Sequence, residues 1–385
     1  MIRDPKALDA LISGVHDWVR STAHPAEDLV DERDEVPAEI VADMAERGYF
    51  GWSIPEEYGG LGLTTEELVM GAMELSQCAV AFRARVGTNT GIGSEALVAD
   101  GTDWQKRTYL PLLAKGEMTG SFALTEPEAG SDASALTTSA RRDGDDYILD
   151  GMKCYITNAP IADLFTVMAR TAPDTPGARG VSAFLVERTM PGLTTSAGYK
   201  MMGQRGSPVG EVHLDGVRVP ARNLIGGEEG QGFRTAMKVL NKQRIHLAAL
   251  CTGPAIRMLD MAMHHAESRH QSGRAIADFQ LVAALLADCR TDIEAARALV
   301  LQTARARDQG RDIALEASIC KYFASEACGR VADRCVQVFG GAGYVANHSS
   351  IERYYRDIRL FRLYEGTSQI QQLVIARRTL ANRAG

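Results

Sequence analysis

The order of hydrophobic periods along the chain predicts an α+β fold in three blocks: an N-terminal helical domain, a middle antiparallel β-barrel or sandwich domain, and a C-terminal four-helix bundle. Three observations carry this reading. Apolar residues recur at helical spacing to about residue 115, alternate with period two between Thr119 and Ile225, and return to helical spacing beyond Gly226-Gly227. Three Asp-Gly pairs, 143-144, 150-151 and 215-216, fall within the alternating block, where such pairs signal hairpins. Three long helical stretches and one shorter stretch then follow in series, as in an antiparallel bundle. The expected domains are residues 1–118, 119–226 and 227–385.

In the first block, MIRDPKALDALISGVHDWVR begins as an amphipathic helix, and residues 36–47, 66–75 and 104–113 repeat the pattern. Between them WSIPEEYGGLGL, residues 52–63, carries Pro55 with Gly59, Gly60 and Gly62 and so reads as a loop. Thr64 or Thr65 can cap the helix that follows. Strands are expected at residues 120–125, 147–149, 153–157, 164–169, 182–187 and 211–214, short enough for a small barrel or sandwich. Helices are expected at residues 233–268, 278–309 and 311–339, with a last one after Gly366.

Composition narrows the partners. With 45% hydrophobic and 24% charged residues over 385 positions, the chain has ordinary globular make-up and room for two or three domains. No run of about 18 apolar residues occurs, so no membrane span is expected. The acids among the first residues argue against a signal or transit peptide. A net charge of -7 disfavours nucleic acid as the main partner, because a phosphate backbone calls for a basic surface. The seven cysteines are scattered without a CxxC pair, as expected for reduced core thiols in a cytoplasmic protein with no metal centre.

One stretch holds the most chemistry. YRDIRLFRLYEGTSQIQQLVIARR, residues 355–378, sets Glu365 on a turn before an amphipathic helix, with Gly366 as the turn and Ser368 with Gln371 as an expected capping box. A carboxylate in that place is a candidate base, or a cap for a surface helix. The helix dipole lowers its pKa whereas an apolar pocket raises it, and the sequence leaves that contest open. Arg353, Arg356, Arg359 and Arg362 recur every third residue and read as a solvated face.

Other candidate stretches follow in chain order. ALTEPEAGSDAS, residues 123–134, runs from a strand into small polar residues whose backbone N–H groups could take a pyrophosphate, although GxGxxG and GKS/T are both absent. KCYITN, residues 153–158, is a strand carrying one aromatic and one threonine. RGSPVGEVHLDGVRVPARNLIG closes the β-block at residues 205–226. LNKQRIHLAAL, residues 240–250, puts Arg244 among apolar neighbours, where a buried arginine needs an anionic partner or else lies on the helix surface. In QVFGGAGY, residues 337–344, adjacent glycines let backbone approach a ligand.

Taken together, and in this order, these stretches resemble the acyl-CoA dehydrogenase family over nearly the whole chain, from the N-terminal helices to Arg378. The resemblance implies an FAD enzyme. By it, Glu365 takes the substrate α-proton, with Tyr364, Gly366 and Arg244 beside the acyl-CoA. Phe122, Leu124 and Thr125 would lie by the flavin pyrimidine, Ser131 near the pyrophosphate, Tyr155 against the flavin ring and Thr157 near its N5. Thr367 and Gln369 would also touch the cofactor, while Arg269, Gln337 and Gly341 would reach the FAD of a neighbouring subunit. SRHQSGRAIADFQ, residues 268–280, departs from the family's RxxFG pattern: Arg269 and Gly273 match, but Ser272 stands where a phenylalanine is usual. Some relatives place the catalytic glutamate at the position held here by Gln243, which cannot act as a base. That leaves the role to Glu365.

The implied reaction is α,β-dehydrogenation of an acyl-CoA thioester to the trans-2-enoyl thioester, with electrons passed to an electron-transferring flavoprotein by a homotetramer. Three alternatives stay open: the same reaction on a carrier-protein thioester, an acyl-CoA oxidase, and a non-catalytic acyl-CoA-binding scaffold.

Overall fold

The computed structural model describes residues 1–381. Asp4 starts the first helix by accepting the N–H groups of Lys6 and Ala7 at 2.9 and 3.2 Å, and Pro5 stands where its missing N–H costs nothing. Helix α1 (Pro5–Trp18) runs through a π turn into α2 (His24–Arg33), then α3 (Ala38–Glu46), α4 (Thr65–Leu75), α5 (Val80–Gly87), α6 (Ile92–Asp100) and α7 (Asp103–Ala114). Thr64 makes the capping box of α4 with Glu67, and Thr102 makes that of α7 with Gln105. The 52–63 loop packs into this block: Trp52 is buried against Gly71, and a Cβ at Gly60 would meet the Ile54 carbonyl oxygen at 2.1 Å.

The middle block is one seven-stranded sheet. Its strands are β1 (Gly120–Ala123), β2 (Ser139–Asp143), β3 (Asp146–Thr157), β4 (Leu164–Arg170), β5 (Val181–Glu187), β6 (Leu193–Thr195) and β7 (Val209–Pro220), in the order β1-β4-β2-β3-β7-β6 with β5 on β4. Most pairings are antiparallel as expected, but β1 lies parallel to β4 and shares one edge of it with the end of β2. Only the first of the three Asp-Gly pairs turns a hairpin, between β2 and β3. The other two face each other inside long strands, where Asp150 of β3 opposes both Asp215 and Gly216 of β7 and accepts the Gly216 N–H at 2.8 Å. That is a bulge, and it joins what the sequence reading separates into two strands. A second bulge in β3 lies between Lys153 and Ile156, and it aims Tyr155 away from the sheet core.

The last block contains α8 (Gly232–Ser268), α9 (Gln280–Asp308), α10 (Ala314–Phe339), α11 (Ile351–Ile358) and α12 (Ser368–Ala381), with a short hairpin of β8 (His270–Gln271) and β9 (Arg274–Ala275) between α8 and α9. Ile245, Met258, Ile293, Val300, Val331 and Phe361 share its core. The arginines expected on a solvated face are not on one. Arg353 is buried and paired with Glu27, Asp28 and Asp31, Arg356 pairs with Glu352 and Arg362 with Glu326. Glu27 also accepts the Tyr354 hydroxyl at 2.7 Å and the Ala79 N–H at 2.8 Å. Arg353 therefore marks a seam between α11 and the N-terminal helices, whereas Arg356 pairs within α11 and Arg362 reaches α10. All seven cysteines are free and buried, and no described helix is long and apolar enough to cross a membrane.

Candidate active site

Where α5, α8, the β-block and the turn before α12 meet, they enclose a cavity of about 370 Å³. Its exposed rim is the loop after β1, including Ser131 and Asp132. Its buried wall comes from α5 and α8, with Arg83, Gln243, His246 and Leu250 each less than one-tenth exposed.

Glu365 reaches this cavity from a strained turn. Its φ is +55° and that of Gly366 is +89°, so two successive residues occupy the left-handed region. For a glutamate this costs about 1–2 kcal/mol, and such strain persists only where the surroundings hold it. They do so here. Gln371 donates to the carbonyls of Glu365 and Gly366 at 3.1 and 3.0 Å, and the buried Lys321 donates to the Gly366 carbonyl at 2.8 Å. Thr367, not Ser368, caps α12 by accepting the Ile370 N–H at 3.2 Å, while Ser368 donates to Glu326 at 2.6 Å. The expected capping box between Ser368 and Gln371 does not form, and Gln371 secures the turn itself.

The carboxyl of Glu365 is held out of water, and its Oε2 has no hydrogen-bond partner among the described residues. Burial raises its pKa from 4.5 to about 7, against the opposing charges of Lys321, Arg83 and Arg244. Burial therefore outweighs the three nearby cations. Arg244 lies within reach of Gly366: a Cβ there would stand 3.7 Å from its Nη2. Its own Nη1 donates only to Asn241, at 3.0 Å. Gln243 lines the same cavity with Nε2 unpartnered and Oε1 at 3.2 Å from His246 Nδ1. Full burial, with Arg83 and Lys242 nearby, pushes the His246 pKa down to about 3 and keeps the ring neutral.

The opposite wall belongs to the β-block. Phe122, Leu124, Thr125, Ser131, Tyr155 and Thr157 all line the cavity. Tyr155 has φ +57° and a ring 69% exposed, tilted against Tyr199 at 5.3 Å between centroids. Behind this wall Lys153 donates to Glu126 at 2.8 Å and to the Leu124 carbonyl at 3.1 Å. Glu126 in turn accepts the N–H groups of Thr137 and Thr138, at 2.6 and 2.9 Å, so one buried carboxylate fixes the loop that bears Ser131.

Tyr364 and Gly366 also line the cavity; Thr367 and Gln369 do not. Arg269, Gln337 and Gly341 are exposed at the far end of the bundle, where His265 stacks on Phe339 at 4.2 Å. Gln337 lies sixteen residues along α10 from Lys321, which is about 24 Å of helix. The reading of the sequence missed Arg83, Lys321 and His246. Lys321 and His246 sit among apolar helical neighbours, the signal already used for Arg244, whereas Arg83 shares a short helix with Arg85. Among the described residues no group of acids, histidines and cysteines could hold a metal ion.

Comparison with known proteins identifies the family. The chain matches the acyl-CoA dehydrogenase N-terminal domain over residues 6–117, the middle domain over 121–217 and the C-terminal domain over 230–380. It is 39% identical to an acyl-CoA dehydrogenase of Bacillus subtilis, over 94% of this chain and 95% of that one. It is 41% identical to a 3-(aryl)acrylate reductase of Clostridium sporogenes, over 94% and 95%. The solved structure of butyryl-CoA dehydrogenase from Megasphaera elsdenii superposes with a TM-score of 0.94 at 32% identity, covering 99% of this chain and all of that one. The chain belongs to the acyl-CoA dehydrogenase family, FAD-dependent oxidoreductases that act on CH–CH bonds.

Proposed function

We propose that this protein desaturates an acyl-CoA thioester between Cα and Cβ, with Glu365 as the base. One observation carries the reading. A carboxylate with an unpartnered oxygen faces, across one cavity, a β-wall that presents an exposed aromatic ring.

The residues fit the flavin. Tyr155 is a large ring left 69% exposed beside Thr157, Phe122 and Leu124, a surface suited to cover by a flat aromatic system. When bound, FAD supplies the hydride acceptor for the β-hydrogen. The chain's part is to hold the thioester, withdraw the α-proton and keep water out.

Proton removal needs a polarised carbonyl, because a C–H beside a thioester is weakly acidic. The Glu365 N–H makes no hydrogen bond with the described residues and is free to donate to that carbonyl. Gln371 and Lys321 hold the turn that aims it. A carboxyl whose pKa is about 7 is half ionised near neutrality, which suits a base that must also return its proton.

The test is anaerobic mixing of the FAD-loaded protein with a panel of acyl-CoAs. Bleaching of the flavin by at least one of them, abolished in Glu365→Gln, supports the reading. A protein that binds FAD and is bleached by none is a scaffold.

Two further points belong to the proposal. Electrons are expected to leave to an electron-transferring flavoprotein rather than to oxygen, so aerobic turnover should release little peroxide. The same carboxyl can also deliver its proton, and a reductase is among the relatives. Enoyl-CoA reduction by the chemically reduced enzyme is therefore the second reading, and matched CoA and carrier-protein thioesters decide the handle.

A further inference from the structure

We propose that the acyl group accepted here ends in a carboxylate, held by Arg83. The inference rests on the dehydrogenase reading of the preceding subsection and names its substrate class.

Arg83 sits in α5, on the buried wall of the cavity and only 9% exposed. Its Nη2 donates to the Tyr364 hydroxyl at 2.6 Å, its Nε has no partner, and its guanidinium lies 5.6 Å from the Phe361 ring centroid. No carboxylate among the described residues stands within ion-pair distance of it. By contrast Lys153 in the β-block and Lys242 beneath α6, the latter 8% exposed, each have a glutamate in direct contact. Arg83 is thus a buried cation with only neutral partners, an arrangement that is costly unless an anion completes it.

The charges of the interior point the same way. Arg83, Arg244 and Lys321 all act on Glu365, and their direct hydrogen bonds go to neutral oxygens of Tyr364, Asn241 and Gly366. His246 is neutral and Asp132 lies at the exposed rim. Among the described residues Glu365 is the one carboxylate on the inner lining of this cavity, set against three cations, and one of the surplus charges has its planar fork in the cavity wall. A guanidinium so placed suits a carboxylate better than a hydroxyl or an amide.

Position separates this anion from the phosphates of the nucleotides. The polar loop suited to a pyrophosphate is the exposed rim at Ser131, whereas Arg83 belongs to the buried wall with Gln243, His246 and Leu250. Tyr364, to which Arg83 donates, directly precedes the proposed base. A group bound at Arg83 is therefore at the acyl end, a short chain away from the reacting carbons. The substrate class is the half-thioester of a short dicarboxylic acid.

The experiment uses the FAD-loaded full chain and anaerobic flavin reduction. Succinyl-, glutaryl- and adipyl-CoA are each compared with the methyl-terminated acyl-CoA of the same carbon number. At least one diacid thioester should exceed its partner in rate per unit concentration by on the order of 100-fold, because the methyl-terminated chain leaves the cation buried and unpaired. Arg83→Gln should cut that ratio at least tenfold, and Arg83→Lys should restore part of it. The comparison on the parent protein stands even if a variant fails to fold. Efficient reduction by methyl-terminated chains alone would overturn the carboxylate assignment and leave the dehydrogenase reading intact. Reduction by no thioester of either class would remove both.

Discussion

Lys153 donates to Glu126 across 2.8 Å in the interior of the β-block, and so ties the strand bearing Tyr155 and Thr157 to the loop bearing Ser131. Burial opposes both charges. It brings Lys153 down to about 8, while Glu126, which burial alone would raise, is carried to about 2 by Lys153 and by the N–H groups it accepts. Lys153→Met would leave a buried carboxylate without its cation, at a cost of about 3–5 kcal/mol. Urea unfolding should show this, and the double variant with Glu126→Gln should lose less than the sum of the two single changes. The Glu126 carboxyl lies below its ordinary 4.5, so its contribution is present above that pH and is lost as the pH falls through about 2. The stability gap between the parent and Glu126→Gln should narrow across that window.

Glu365 gives a pH dependence of the opposite sign. Its pKa is raised, by burial first, to about 7, so the basic form fills as the pH rises. Flavin reduction should climb with pH and level off above about 7. Arg244 favours the charged form, and Arg244→Met should move the midpoint of the profile upward. Stability runs the other way: the folded state binds the proton more tightly, so stability is lost as the pH rises from 4.5 through about 7. Glu365→Gln should therefore gain about 1–3 kcal/mol over the parent at pH 8 and little at pH 4. Equal melting curves at both pH values would show that the carboxyl is not desolvated.

Helix α12 buries only Ser368 and Gln371 and leaves Leu373 and Leu380 61% and 67% exposed. With Arg269, Gln337 and Gly341 exposed at the far end of the bundle, this fits a chain that completes its cofactor sites by assembling. We expect a homo-oligomer whose melting temperature rises with protein and FAD concentration. Leu373→Asp should lower the sedimentation coefficient and FAD retention together. A fully flavin-loaded monomer of the parent chain would contradict the shared site.

Much of this was legible in the sequence, for a physical reason. Long amphipathic helices and alternating strands write their period into the chain, so α8, α9 and α10 fall within a few residues of the expected spans. The β-wall is legible because Phe122, Tyr155 and Thr157 lie on β1 and β3 and Leu124 directly follows β1. What failed depends on partners distant in the chain. Asp150-Gly151 looks like a turn until Asp215-Gly216 is set opposite it, and Arg353 looks solvated until α2 brings Glu27 and Asp28. Arg83 does not stand out in the sequence, because α5 is only eight residues long and carries Arg85 as well.

The sharpest test of the base uses two positions on one cavity. Glu365→Gln keeps the size and hydrogen-bonding capacity of the side chain, and Gln371 and Lys321 bond the backbone of the turn rather than its carboxyl, so fold and flavin content should survive. Flavin reduction should fall by at least about 100-fold, the usual loss on removing a required base. Gln243 faces the same cavity, 3% exposed and beside a neutral His246, so Gln243→Glu in that background returns a carboxylate to the same chamber from α8 instead of from the turn. The new carboxylate approaches from another element, and a base displaced by about 1 Å can lose on the order of 100-fold. Recovery should be partial, with a pH profile of its own, because a carboxylate beside His246 Nδ1 would favour the protonated ring. Reduction of Glu365→Gln at the parent rate would make Glu365 a residue of the turn and nothing more. Full recovery in the double variant would mean that the cavity, rather than the strained turn, sets the geometry of proton removal.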